Sequence, residues 1–266
     1  MEEAQEEKKA FLHPSIFKVL EQRKRIKAKL SNIRYKVGIY SAKGGVGKTT
    51  VTINLAYSLK DMGYNVGILD ADIDCPNVPL FLGIEMKNEE YPLNPFEKDG
   101  VKILSTAFFM NDQTKPIIWR GPLIGKMISE FLENAEWGSL DFLLIDLPPG
   151  TSDAPLSIIQ LLDLFGFIIV TTPQKVARVN ALRSAFMAKR LGVNLIGFVE
   201  NMSRGEEVDS FEKDLGAPLL GRISENDSIK ESTDSGKLAI ENKKVQEEFI
   251  SLCNSLLKEL GISTNK

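Results

Sequence analysis

Cysteine is scarce in this chain of 266 residues, which has only Cys75 and Cys253. Two cysteines cannot build a disulfide framework or a paired-cysteine zinc site within one chain, and low cysteine content fits a reducing compartment. The N-terminal sequence MEEAQEEKKAF is charged and has no apolar run, so no secretory signal is expected. We therefore expect a cytoplasmic protein.

Long hydrophobic runs and an excess of positive charge are also lacking. The most apolar stretch, LLDLFGFIIV, is much shorter than the about 20 residues that cross a bilayer, so no integral membrane segment is expected. The chain has 33 basic and 36 acidic residues, and this balance argues against nucleic acid as a partner. Hydrophobic residues make up 43% of the chain, which is enough for a sizeable core.

The first 35 residues differ in composition from the rest and predict a basic N-terminal arm or helix, with one domain over residues 36–266. Lys and Arg are frequent between residues 16 and 36, and apolar residues are interleaved with them. Those apolar residues are Phe17, Leu20, Ile26 and Leu30. Two interpretations stay open: a solvated helix that packs a few apolar side chains on the domain, or an arm that binds an anionic surface or a partner.

From residue 36 onward, apolar strands alternate with helical stretches. Strands are predicted at residues 36–41, 65–69, 101–105, 142–145, 167–171, 195–200 and 218–221. Helices are predicted at residues 48–60, 123–132, 155–162, 177–191 and 241–260. This alternation predicts an α/β fold with a mostly parallel, doubly wound sheet and helices on both faces.

The segment SAKGGVGKTT follows the first predicted strand and opens the first predicted helix, which is the context of a phosphate-binding P-loop. Its glycines allow the backbone N–H groups to face a phosphate, and the helix adds its positive dipole end. Lys48 is expected to contact the β- and γ-phosphates of ATP, Thr49 to hold Mg²⁺ and Thr50 to meet the α-phosphate. The expected nucleotide-binding residues of this loop are Lys43, Gly44, Gly45, Val46, Gly47, Lys48, Thr49 and Thr50.

Two strand ends supply acidic residues for the same site. The strand FLLID ends in Asp146, which has the Walker B form and is expected to hold Mg²⁺. The strand before LDADIDCP ends near Asp70, Asp72 and Asp74, where parallel sheets place their ligands. We expect Asp70 to make a supporting contact near Mg²⁺ and Asp74 to form a turn before the following proline.

The strict P-loop pattern has glycine where this chain has Ala42, but Lys43 fits the deviant Walker A form xKGGxGK[ST]. The motif resembles that of the ParA, MinD and nitrogenase iron protein class of P-loop ATPases. The resemblance implies an ATP-bound two-fold dimer in which Lys43 reaches the partner's nucleotide, and a slow, dimer-dependent ATPase. It also implies that Asp72 orients the attacking water and that Asn201, in VENMS, reads the adenine edge.

Several longer segments narrow the resemblance: LDADIDCPNVPLFLG, KPIIWRGPLIGKMI, DFLLIDLPPGTSDAPLSI, IIVTTPQKVARVNALRS and VENMS. Together they resemble the Mrp/NBP/ApbC branch, the carrier or scaffold ATPases for iron–sulfur clusters, over roughly residues 36–240. That branch usually has a C-x-x-C after NMS, whereas this chain reads NMSRGEEVDSF. Because clusters need thiolate ligands, the cysteine count argues against a bound cluster. A homodimer or a heterodimer with a cysteine-bearing relative is expected.

Three functions are compatible with these motifs. The first is an ATPase of the iron–sulfur assembly family whose client protein the sequence does not name. The second is a MinD- or ParA-like ATPase that regulates a partner, DNA or membrane association, for which Lys24, Arg25 and Lys27 would supply positive charge. The third, a small-molecule kinase, is disfavoured by Lys43 and by the lack of an Arg-rich lid.

Overall fold

The structure is a computed structural model, and it describes residues 14–84, 94–109, 121–150, 153–205 and 211–263. Trp119 and Arg120 of the WRGP segment, Thr151 of the LPPGT segment and residues 1–13 of the expected arm lie outside these ranges. The strands are β1 (Ile33–Tyr40), β2 (Val66–Asp70), β3 (Phe96–Lys98), β4 (Val101–Ser105), β5 (Leu140–Asp146), β6 (Gly166–Thr171), β7 (Leu195–Ser203) and β8 (Leu219–Ser224). The helices are α1 (Pro14–Lys29), α2 (Lys48–Asp61), α3 (Val78–Phe81), α4 (Gly121–Asn134), α5 (Asp153–Leu162), α6 (Lys175–Arg190), α7 (Phe211–Leu215), α8 (Asp227–Asp234) and α9 (Lys243–Glu259).

These strands form one eight-stranded sheet in the order β3-β4-β2-β5-β1-β6-β7-β8. β3 runs antiparallel to β4, and the other described neighbours are parallel. β2 and β6 are buried along their whole length, as expected for strands with both faces covered. The predicted α/β, doubly wound fold class is confirmed.

Two core clusters lie on opposite faces of the sheet. Consecutive residues of β2 alternate between them, because successive side chains of a strand point to opposite faces: Ile68 is in one cluster and Leu69 in the other. The first cluster includes Leu55 of α2 and Phe249 of α9. The second includes residues of α1, α4 and α5, and a smaller third cluster lies under α6. The helices therefore cover both faces and hold the strand ends in place.

Helix α1 packs against the second cluster. Ile26 and Leu30 are 0% and 1% exposed and belong to that cluster, while the basic side chains of Lys24, Arg25 and Lys27 face solvent. β1 begins at Ile33, so the expected boundary after residue 35 falls inside this strand. The division of the chain into an arm and a domain stays a prediction.

The predicted helices and strands were found with shifts of a few residues at their ends, and several short elements were missed, among them β3 and α8. β3 is only three residues long and forms an edge of the sheet. α8 has no buried residue, so apolar periodicity could not reveal it. It starts instead from a polar cap, because Asn226 Oδ1 accepts a hydrogen bond from Ser228 N at 2.9 Å.

The sheet brings distant strand ends together. Asp146, the last residue of β5, pairs with Ile39 of β1 and with Asp70 at the end of β2. The loop after β1 therefore opens beside both acidic strand ends. Among the helices that the structure describes, none has the length and apolarity needed to cross a membrane.

Candidate active site

The loop between β1 and α2 has the backbone shape of a phosphate cradle. Gly45 and Gly47 have φ of +78° and +82°, a left-handed conformation that residues with a Cβ adopt only at a cost. Ser41 Oγ donates to the carbonyl of Lys43 at 2.9 Å and fixes the start of the turn. Helix α2 then begins at Lys48, so its free N–H groups and its dipole point toward the loop.

The buried Asp146 carboxylate joins this loop to β5. Its Oδ1 lies 2.6 Å from Lys48 Nζ, and its Oδ2 accepts a hydrogen bond from Thr49 Oγ1 at 2.6 Å. Thr52 Oγ1 donates to the same Oδ1 at 3.2 Å. Lys48 and Asp146 are both buried, so their charges balance each other where solvent cannot. The structure thus brings Lys48, Thr49 and Asp146 together, and their shared role in binding ATP and Mg²⁺ stays a prediction.

Asp70 is fully buried, and its side chain is hydrogen-bonded to the loop that follows β2. Its carboxylate accepts hydrogen bonds from Ser105 Oγ at 2.8 Å, from Val78 N at 3.1 Å and from Asp72 N at 3.3 Å. Burial, together with the nearby Asp146 charge, raises the pKa of Asp70 to about 8. These three hydrogen bonds use the Asp70 side chain to fix the conformation of the loop. They do not support the expected contact near Mg²⁺, which stays a prediction.

Asp72 lies on that loop close to Lys48. Burial raises the pKa of Asp72 to about 6, and the Lys48 charge opposes this shift. Asp72 Oδ1 accepts a hydrogen bond from Cys75 N at 3.3 Å. Asp74 is exposed, and its carboxylate accepts no hydrogen bond from another described residue that would support the predicted turn. Of the acidic side chains on this loop, Asp72 is therefore the one that interacts electrostatically with Lys48 of the P-loop.

Asn201, near the end of β7, contacts the P-loop directly. Its Nδ2 donates to the carbonyl of Val46 at 2.8 Å, and its side chain is 4% exposed. It also lines a cavity of about 370 Å³ next to Gly47 and Thr50. Its expected contact with adenine stays a prediction, and its bond to Val46 is a role that the sequence did not indicate.

Sequence reasoning missed the far wall of this cavity. That wall is formed by the end of β8, by α8 and by the residues between them, and its lining residues include Ser224, Glu225, Asn226, Ile229, Lys230 and Thr233. Because α8 is polar and has no buried residue, apolar periodicity did not mark it, and the capping residue Asn226 was the local signal for its start. The cavity opens beside the P-loop and could accept the nucleoside part of a nucleotide.

Lys43 is exposed at the rim of the loop, as are Gly44 and Gly45, whereas Val46 is buried. The Lys43 side chain makes no ion pair with another described residue, so it can reach outward from the domain. Its predicted action on a partner's nucleotide remains a prediction.

The two cysteines lie in different environments. Cys75 is exposed on the loop after β2, and partial desolvation of the thiol, followed by the negative charges of Asp72 and Asp74, raises its pKa. Cys253 is buried in α9 at 0% exposure, and burial raises its pKa strongly. Within the described ranges, no group of three or more His, Cys, Asp or Glu side chains could hold a metal ion. Of the two thiols, Cys75 is the one that a ligand or a partner can reach.

Comparisons with known proteins place the chain in a family. Residues 32–259 match the ParA family model described as NUBPL iron-transfer P-loop NTPase. An iron-sulfur cluster carrier protein of Methanocaldococcus jannaschii is 40% identical over 270 residues, which cover 93% of this chain and 92% of that protein. The iron-sulfur cluster transfer protein NUBPL of Dictyostelium discoideum is 34% identical over 90% of this chain and 80% of its own length.

Solved structures share the same fold. The nucleotide-binding protein of Archaeoglobus fulgidus in complex with ADP is 31% identical, with a TM-score of 0.70 over 85% of this chain and 96% of that chain. The septum site-determining protein MinD of Pyrococcus horikoshii complexed with Mg-ADP is 27% identical, with a TM-score of 0.69 over 86% of this chain and 98% of that chain. The extent of the family match confirms the resemblance inferred from the motifs, and the chain belongs to the ParA family of P-loop NTPases, in its NUBPL iron-transfer group.

Proposed function

We propose that this protein is a Mg²⁺-dependent ATPase whose nucleotide cycle acts in iron–sulfur cluster transfer. The observation that carries the proposal is the Asp146 carboxylate, which lies 2.6 Å from both Lys48 Nζ and Thr49 Oγ1 at the mouth of the glycine loop. A cation, a metal-binding hydroxyl and a carboxylate at this place are the parts that P-loop NTPases use for phosphoryl transfer. The family match and the ADP complexes of the structural neighbours support this class of ligand.

The residues present fit ATP and Mg²⁺. Thr49 and Asp146 supply oxygen ligands of the kind that Mg²⁺ prefers, and the metal would neutralise charge on the β- and γ-phosphates. Lys48 would exchange its contact with Asp146 for one with the phosphates, so its buried charge would stay balanced. Asp72, when deprotonated, would orient the attacking water and accept its proton. The cavity beside Thr50 and Asn201 would receive the nucleoside.

Lys43 makes hydrolysis depend on a second chain in this proposal. Its side chain is exposed at the rim of the cradle, where it can reach a nucleotide bound to a partner. A positive charge supplied in trans stabilises the charge that develops on the transferred phosphoryl group. Each chain alone would bind ATP but hydrolyse it slowly.

Cluster transfer requires ligands that one chain of this protein does not supply by itself. The cluster is cargo that needs several thiolates, and Cys75 is the one exposed thiol in the sequence. Two chains would offer two Cys75 thiols, and a cysteine-bearing relative in a heterodimer would offer more. We therefore propose that the protein acts on cluster transfer through its nucleotide state, with most cluster ligands supplied by a partner.

Phosphate release from Mg-ATP tests the ATPase. The wild-type rate per chain should rise with protein concentration, and Lys43→Ala should lower it about 10²- to 10³-fold. Lys213→Ala, at another exposed lysine, is the matched control and should hydrolyse ATP at the wild-type rate. A Lys43→Ala protein with normal, concentration-dependent turnover would remove Lys43 from the mechanism.

Anaerobic reconstitution with iron and sulfide tests the division of cluster ligands. The visible spectrum should show no stable cluster band for the protein alone, and a band should form with a relative that carries C-x-x-C. A band that the protein forms alone and that Cys75→Ala abolishes would show instead that paired Cys75 thiols hold the cluster. If neither sample forms a band, a MinD- or ParA-like regulatory ATPase is the better function.

A further inference from the structure

Helix α6 carries an exposed apolar stripe that the nucleotide site does not use. Val176, Val179 and Phe186 are 63%, 45% and 69% exposed. The opposite side of the helix, with Ala181 and Ala188, is buried against the sheet. Three exposed apolar side chains on one helix face form a patch of the kind found at interaction sites.

The same helix is strongly basic, although the chain as a whole has a net charge of −3. Its charged residues are Lys175, Arg178, Arg183, Lys189 and Arg190, and none of its residues is acidic. Lys175, Arg183, Lys189 and Arg190 form no ion pair with any other residue that the structure describes. Only Arg178, which points inward, pairs with a described carboxylate, that of Glu200 at 3.5 Å. Among the described residues, no carboxylate therefore pairs with the exposed positive charges of α6.

Apolar and basic side chains share a single seam along α6. Val176, Val179, Arg183, Phe186 and Arg190 are spaced by three and four residues in turn, which is the a/d spacing of a helix that packs along another helix. At 1.5 Å per residue the seam is about 21 Å long. We call these five residues the α6 seam.

This arrangement selects among the surfaces that could cover the seam. A second copy of the same face would bring Arg183 and Arg190 against like charges, which is unfavourable at close range. A bilayer accepts helices whose apolar and basic faces are separate, whereas here Arg183 lies within the apolar stripe and Arg190 continues the same line. Nucleic acid would use the arginines but gain little from Val176, Val179 and Phe186. A helix with both apolar and acidic side chains fits all five positions.

The α6 seam begins close to the cavity beside Gly47 and Thr50, which we call the nucleotide cavity. Gln174, just before α6, lines a second cavity of about 240 Å³ together with Met202. Met202 also lines the nucleotide cavity. A partner seated at the start of the seam would therefore lie beside residues that surround the nucleotide.

We propose that the α6 seam is the docking site for an amphipathic helix of a partner protein, with apolar residues opposite Val176, Val179 and Phe186 and carboxylates opposite Arg183 and Arg190. The exposed seam explains why apolar residues stand at positions where they add nothing to the core. This inference goes beyond the proposed ATPase and does not depend on hydrolysis, since binding is measured without nucleotide turnover.

The test uses a fluorescein-labelled helical peptide of about 21 residues as the probe, which is long enough to cover the seam. The peptide carries Leu at positions facing the three apolar residues and Glu at positions facing the two arginines. Fluorescence anisotropy should show binding to the wild-type protein, and Arg183→Glu with Arg190→Glu should weaken it about tenfold or more. A peptide with Lys in place of Glu should bind that double variant better than it binds wild type. Phe186→Ser should also weaken the Glu peptide about tenfold.

The double variant Lys244→Glu with Lys258→Glu is the matched control, because it reverses two exposed charges on α9, which packs on the other face of the sheet. It should leave the affinity of the Glu peptide within about twofold of wild type. Equal affinity for wild type and Arg183→Glu/Arg190→Glu, or no gain for the Lys peptide, would overturn the proposal. So would a wild-type protein that does not bind the Glu peptide, whether or not it binds phosphatidylserine vesicles or duplex DNA through these arginines.

Discussion

Gly47→Ala should destabilise the protein more than the same substitution at the neighbouring Gly45, because two costs meet at Gly47. The φ of Gly47 is +82°, where an alanine Cβ is strained. That Cβ would also lie 2.1 Å from Asn201 Nδ2, closer than atoms can approach. Asn201 would have to move and lose its 2.8 Å hydrogen bond to the Val46 carbonyl. The substitution therefore affects the backbone and the buried amide together.

The magnitude follows from these two costs. Left-handed strain costs about 1–2 kcal/mol, and a lost buried hydrogen bond costs about 1 kcal/mol more. We expect Gly47→Ala to lower the free energy of unfolding by about 2–3 kcal/mol. Gly45→Ala is the matched control, because Gly45 has a φ of +78° and an alanine Cβ there would meet nothing within 4 Å. It should cost only the strain, about 1–2 kcal/mol.

Urea unfolding without nucleotide measures both substitutions. The loss of unfolded-state entropy from Gly to Ala is the same at both sites and cancels in the comparison. In an Asn201→Ala background the extra cost of Gly47→Ala should disappear, so that the two glycine substitutions become equal. If Gly45→Ala and Gly47→Ala are equally destabilising in the wild-type background, Asn201 does not press against the P-loop as closely as the 2.1 Å approach requires.

The remaining predictions concern the carboxylates of the site. Asp72→Asn should lower kcat for ATP hydrolysis about 10²- to 10⁴-fold, measured by steady-state phosphate release, and should leave the dissociation constant for ATP almost unchanged; equal kcat values would exclude Asp72 as the base. Because burial raises the pKa of Asp72 from 3.8 to about 6, the carboxyl gains a proton as the pH falls through 6. The wild-type rate should therefore decline below about pH 6. The residual rate of Asp72→Asn should not show this decline. A wild-type rate that stays constant to about pH 5 would contradict the assignment of Asp72 as the base. Asp70→Ala removes the acceptor of three hydrogen bonds from the loop after β2 and should lower the free energy of unfolding by about 2–4 kcal/mol in urea titrations; a loss below about 1 kcal/mol would show that the loop does not depend on Asp70.

Much of the fold could be predicted because its signals are local. The apolar strands and the helices between them follow from residue patterns within each segment, and helix covering of both faces follows from strands that are apolar throughout. β3 and α8 were missed because the prediction relied on apolar patterns, and neither element has such a pattern. The register that pairs Asp70 with Asp146 is a property of the assembled sheet, and no segment contains it.

The sequence alone determined the phosphate cradle, because Lys43, the glycines and Lys48–Thr50 are contiguous and their chemistry depends on local backbone shape. Tertiary structure decided what surrounds it. Asp146 reaches Lys48 across 98 residues of sequence, and Asn201 reaches Val46 across 155. Packing also turned Asp70 toward the loop after β2, buried Cys253 and left the α6 seam exposed. These outcomes depend on which elements become neighbours when helices cover both faces of the sheet. That arrangement is determined by the packing of the complete core, which no single segment of the sequence specifies.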